Sequence, residues 1–87
     1  MKLRSEFLSH RNGGEAFVIP AEGAKFSGLV RGNRTFGDVA ELLKDDTTEQ
    51  DIITAMRAKY DAPAGVIERD VRKALDIFRE IGALDEH

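Results

Sequence analysis

The 87-residue chain has no cysteine and no tryptophan, only two prolines, and an aromatic content of 7%. Without cysteine there can be no disulfide framework and no thiolate-ligated metal, and the usage fits a cytoplasmic protein. No apolar run approaches the roughly 20 residues of a membrane span. The opening Met1-Lys2-Leu3-Arg4-Ser5-Glu6 lacks the apolar stretch of a secretion signal. A cytoplasmic location with no membrane partner is therefore expected. Neither sign of charge dominates: 13 Lys and Arg against 16 Asp and Glu leave a net charge of −3. Such a surface exerts no global pull on nucleic acid.

The chemistry-bearing residues are equally sparse. The two histidines, His10 and His87, are far apart and form no His-x-x-x-His pair. Ser5, Ser9 and Ser27 sit in no nucleophile elbow. Gly13-Gly14 precedes a strand-like segment rather than a helix, so it is no phosphate cradle. No cofactor, metal or catalytic site is expected, and the chain reads as a non-enzyme.

What is present is a change of period near Asn33-Arg34-Thr35. Before it, short apolar runs are broken by glycine. Phe7 to Arg11 and Glu15 to Ile19 read as two strands joined at Asn12-Gly13-Gly14, residues that tolerate the positive φ of a tight hairpin, with Pro20 ending the second. Lys25-Phe26-Ser27-Gly28-Leu29-Val30-Arg31 reads as a third strand weakened at Gly28. Alternation would set Phe26, Gly28 and Val30 on one face and Ser27, Leu29 and Arg31 on the other.

After the switch, apolar residues recur every three or four positions. Phe36, Val39, Ala40, Leu42 and Leu43 mark a first helix, with Asn33 or Thr35 available to cap it. Thr47-Thr48-Glu49-Gln50 matches a capping box, Thr and then Gln three residues on, before a helix carrying Ile52, Ile53, Met56 and Tyr60. The last helix shows Ile67, Val71, Ala74, Leu75, Phe78 and Ile81, with Gly82 as its stop and Leu84 packing back. Glu68 and Arg72 stand at i, i+4 on it, and Asp76 and Arg79 at i, i+3. The predicted architecture is α+β: one domain over residues 1–87, a three-stranded antiparallel sheet followed by a three-helix bundle, in the order βββααα.

Taken together, these stretches resemble the PqqD-like family, the precursor-peptide recognition elements of ribosomal peptide natural-product pathways. The resemblance is carried by Arg11-Asn12-Gly13-Gly14-Glu15, Phe17-Val18-Ile19-Pro20 and Phe26 to Arg31. It continues through Asn33 and Thr35, Glu41-Leu42-Leu43, Thr47-Thr48-Glu49 and Tyr60-Asp61, and ends with Asp70-Val71, Leu75, Arg79-Glu80 and Gly82. It spans roughly Phe7 to Leu84. This chain departs from the family pattern where a leucine usually precedes the Asn (here Gly32), where a glycine follows the Asn-x-Thr (here Phe36), and where a tryptophan often precedes Glu-Leu-Leu (here Ala40). The small Ala40 is expected to be offset by the large Phe36.

The resemblance implies a winged-helix-like, non-catalytic module that takes up the leader segment of a ribosomal precursor peptide and presents it to a modifying enzyme such as a radical-SAM protein. The leader would add as a strand to the edge of the third strand, in the cleft beside the last helix. On this sequence the edge is Lys25, Phe26, Ser27, Gly28, Leu29, Val30 and Arg31. Gly28, lacking a Cβ, would admit the incoming backbone. The helix side would be Arg69, Asp70, Lys73, Ala74 and Ile77, with Arg69 and Lys73 placed to meet acidic leader residues. The same edge could pair with a second copy of the chain to form a homodimer. The alternative is a winged-helix DNA-binding protein, disfavoured by the acidic balance and by strands that precede all three helices.

Overall fold

The computed structural model describes residues 1–21, 23–24 and 28–86. Eight elements follow one another: β1 (Lys2–Leu3), β2 (Phe7–Asn12), β3 (Glu15–Pro20), β4 (Val30–Gly32), α1 (Arg34–Leu42), α2 (Glu49–Lys59), α3 (Val66–Glu80) and β5 (Leu84–Asp85). The three-stranded antiparallel sheet has the order β2-β3-β4. The α+β reading therefore holds. Two short strands missing from it, β1 and β5, pair with each other, Leu3 opposite Leu84. Two residues apiece are too few to show an alternating pattern, so only the meeting of the two ends defines them.

The hairpin forms where expected. Asn12 pairs with Glu15 across Gly13-Gly14, and Gly13 has φ 64. Alternation sends Ala16 and Val18 into the core, while Leu8 and Ile19 pair on the outer face. Among the described residues the third strand is Val30–Gly32, with Gly28 and Leu29 outside it. Lys25, Phe26 and Ser27 lie outside the described residues, and the described pairing runs from Val30, opposite Val18, to Gly32, opposite Ala16. Gly28 is not a mid-strand residue. It has φ 128 in a bend, a backbone geometry no strand continues through. Extending the register would also set it opposite Pro20, which has no N–H.

The first two helices start at side-chain caps, whereas α3 follows Gly65 with no side-chain cap. Asn33, not Thr35, caps α1: its Oδ1 accepts the Phe36 N–H at 2.9 Å. The cap of α2 is Thr48, whose hydroxyl accepts the Asp51 N–H at 3.1 Å, one residue later than the Thr–Gln spacing suggests. Replacing Thr48 with Ala should lower stability by about 1 kcal/mol in a urea titration followed by circular dichroism. Tyr60 is the C-cap of α2 with extended backbone, not a helical residue. At the end of α3 the Gly82 N–H reaches the Arg79 carbonyl at 3.1 Å and the Ala83 N–H reaches that of Phe78 at 2.8 Å. This is a Schellman stop with Gly82 at φ 74. Its apolar partner is the buried Ala83 against Phe78, so Leu84 is freed to enter β5.

The core lies between the inner sheet face and the three helices, with Val18, Val39, Leu43, Ile52, Met56, Val71, Leu75 and Phe78 fully enclosed. Charges on α3 reach across to α2 as well as along the helix. Glu68 accepts from Arg57 of α2, Arg72 lies 4.0 Å from Glu49, and the Arg72 charge also acts on Glu68, its predicted partner. The Asp76–Arg79 pair is present at 3.2 Å.

Candidate functional site

Among the described residues β4 pairs with β3 only, so its other edge is open. That edge faces α3 across a cavity of about 240 Å³ lined by Arg31, Gly32, Asn33, Thr35, Phe36, Asp70, Lys73, Ala74 and Ile77. Five of the predicted site residues thus meet here: Arg31, Asp70, Lys73, Ala74 and Ile77. Val30 is in β4 but turns inward, paired with the buried Val18 and packed on the core. Arg31 stands on the opposite face, across from Phe17. Leu29 is exposed and precedes the strand. Arg69 does not line the cavity. It points to solvent and lies 3.7 Å from Asp70. Ile77 is 37% exposed, an apolar side chain at the cleft rather than in the core.

The floor is Phe36, which the edge-plus-helix reading missed. Its ring stacks on Phe78 of α3 with centroids 4.8 Å apart. On its other side it lies against Gly32, where an added Cβ would come 2.5 Å from Phe36 Cγ and 2.7 Å from Phe36 Cβ. The two departures from the family pattern are therefore one exchange. The side chain absent at position 32 makes room for the one present at position 36. Ala40 is buried one turn further along α1, but Gly32 is what yields space to the ring. The signal was in the sequence as two compensating departures four residues apart, and only their contact reveals the link.

A second cavity of about 330 Å³ lies further along the same helix, lined by Arg4, Glu6, Phe7, Gly23, Ala24, Ile81, Gly82 and Leu84. Asp70, Lys73, Ala74 and Ile77 of α3 and its C-cap Ile81 follow helical spacing, so one stripe borders both cavities. From Asp70 to Ile81 that stripe runs about 16 Å, the length of about five residues of extended chain.

Behind the cleft sits a polar cluster that the sequence did not announce. Asp38 of α1 is 4% exposed. Its carboxylate accepts from Arg11 of β2, from Tyr60 Oη and from Lys59 Nζ, the last at 2.9 Å. Arg11 also donates to the Arg34 carbonyl at 3.0 Å. Burial pushes the Asp38 carboxyl up, but the hydrogen bonds from Tyr60, Lys59 and Arg11 and the Arg11 charge outweigh it and hold the group below its ordinary value. Burial, then the Asp38 hydrogen bond and charge, push the Tyr60 phenol up. The cluster ties hairpin, α1 and the end of α2 together. It does not open into the cleft, so its role is to hold the framework.

Among the described residues no three His, Asp or Glu side chains gather as a metal set would require, and no helix is long and apolar enough to cross a membrane. No curated protein matches the sequence. A solved structure described as "TbiB1 in Complex with the TbiA(beta) Leader Peptide" superimposes with a TM-score of 0.78, covering 100% of this chain and 98% of that one at 18% identity. At that identity the likeness speaks to the fold. The family profile described as "Coenzyme PQQ synthesis protein D (PqqD)" matches residues 15–84, from the second strand of the hairpin through the Schellman stop and into β5. By that match, which takes in the open strand edge and the helix facing it, the chain belongs to the PqqD family.

Proposed function

We propose that this protein is a non-catalytic recognition module for the leader segment of a ribosomal precursor peptide. The leader adds as a strand along β4 in the cleft beside α3, and the module presents the rest of the peptide to a modifying enzyme such as a radical-SAM protein. The observation that carries this reading is the open edge of β4 set opposite a partly exposed apolar stripe of α3. Main-chain hydrogen bonds from such an edge supply affinity for almost any extended chain, and side-chain pockets supply selectivity. The leader peptide seen on TbiB1, a protein of the same fold, supports the assignment. Among the described residues the edge is Val30–Gly32, and contacts along α3 add to the binding.

The test is a titration of the isolated chain with the leader encoded by a short reading frame beside its gene, followed by amide shifts. Binding in the nanomolar to micromolar range, about −8 to −12 kcal/mol, should concentrate shifts at Val30 to Gly32, Lys73, Ala74 and Ile77. Shifts spread evenly over the chain, or none, would remove the assignment. Replacing the half-exposed Ile77 with Asp should weaken binding by about tenfold or more while leaving the circular dichroism spectrum unchanged. A second copy can use the same edge, in which case added leader should convert dimer to monomer in light scattering. No observation favours DNA binding: α3 carries Glu68, Asp70, Asp76 and Glu80 against Arg69, Arg72, Lys73 and Arg79, with no basic face.

A further inference from the structure

Lys73 is exposed at the cleft and makes no ion pair among the described residues. The other charges there are engaged: Asp70 lies 3.7 Å from Arg69, and Arg31 lies 3.5 Å from Glu15. With those two pairs closed, Lys73 is the cation left over at the mouth among the described residues, a positive local balance on a chain whose net charge is −3. One helical turn along α3, at i+4, stands Ile77, and beneath it the Phe36 ring and Ala74 complete an apolar floor. Residues four apart on a helix are separated by about 6 Å along its axis. Alternate residues of a strand, which share a face, are separated by about 6.6 Å. A chain lying along α3 therefore matches the Ile77-to-Lys73 step with two side chains on its helix-facing side.

Resting on the peptide-binding reading above, we infer that the cleft selects a segment in which an apolar residue and a carboxylate stand two positions apart. The apolar side chain sits on Phe36, Ala74 and Ile77, and the carboxylate meets Lys73. Lys73 is then a specificity residue and the apolar floor the anchor. Desolvation of the anchor provides most of the binding, and the charge pair sets which partner is accepted.

The test is selection of binders from a displayed library of random 12-residue peptides on the intact chain, with the binding site of each enriched peptide read from amide shifts. Enrichment of Asp or Glu two positions from an apolar residue is the expected result. The Lys73→Glu variant changes a solvent-facing side chain, and it should select Lys or Arg at that position instead. It should also bind the original peptides about tenfold or more weakly. If enriched peptides perturb β4 and α3 yet show no acidic preference, or if Lys73→Glu leaves their affinity and the selected residue unchanged, the inference is overturned while the peptide-binding reading stands. If no enriched peptide perturbs β4 and α3, both fall.

Discussion

Gly32→Leu should cost this protein at least about 3 kcal/mol, at or beyond the upper end for overpacked cores, and Phe36→Gly in the same chain should return much of that loss. The reason is that the conflict involves Phe36 Cβ as well as the ring, at 2.7 Å from where a Cβ on residue 32 would stand. Turning χ1 moves the ring but leaves Cβ in place, so relief requires shifting the first turn of α1, which Asn33 caps. Phe36→Gly alone removes a ring stacked on Phe78 and should cost about 3–5 kcal/mol through the cavity it leaves. For a protein of this size either change is a large fraction of the whole stability. The two losses should be far from additive, with a coupling of about 2 kcal/mol or more in a double-mutant cycle. Urea titrations of the four proteins measure it. Simple addition of the two single losses would show that the residues do not share one space. The double variant also carries the family's usual residues at both positions, so it rebuilds the floor of the cleft in the common form.

Asp38→Ala should cost about 3 kcal/mol, near the low end for breaking a buried ion pair. The cost stays at that end because Arg11 and Lys59 are partly exposed and can turn to water once the carboxylate is gone. The same group ties stability to acid. Its folded carboxyl sits below the ordinary value, so the folded protein binds the proton less readily than the unfolded chain does. The contribution is therefore complete above the unfolded value of about 3.9 and is lost as the pH falls through the lower folded value. Urea midpoints measured between pH 7 and pH 2 should fall on the acid side, and the Asp38→Asn variant should show a lower midpoint at pH 7 with a shallower acid limb. An acid limb unchanged by the substitution would mean that other carboxylates govern it.

Much of the scaffold could be read from residue order because it rests on short-range physics. The hairpin follows from Asn12-Gly13-Gly14 between two alternating runs, the α3 stripe from apolar residues at helical spacing, and its stop from Gly82. Misplacements came where local signals were nearly balanced. Thr47 and Thr48 both suit a cap, but the Thr47 backbone is taken up by the distant Met1: its carbonyl accepts from the Met1 amine at 2.6 Å and its N–H donates to the Met1 carbonyl at 2.8 Å, which leaves Thr48 as the cap. Tyr60 continued the helical spacing of Ile53 and Met56, yet its hydroxyl found Asp38 and the chain left the helix there.

The family resemblance pointed to one strand edge and one helix face, and five of the residues it implied line a single cavity between them. Arg69 was set aside by rotation about the helix axis. Periodicity assigns a face to about a quarter turn, and a cleft edge is narrower than that. Asp38 was overlooked because a lone carboxylate in a helix usually faces water. Its three partners lie 21 to 27 residues away in the chain.

By itself, the order of residues determined the types of the main elements, the antiparallel hairpin, the stop of α3 at Gly82 and the absence of thiol chemistry, since each depends on neighbours within a turn or a hairpin. Tertiary structure alone decided that Gly32 and Phe36 share one volume, that Lys73 has no ion-pair partner among the described residues beside an apolar floor, and that Asp38 gathers Arg11, Lys59 and Tyr60. Steric exclusion and charge pairing act through space, and segments distant in the chain meet only after the core has closed.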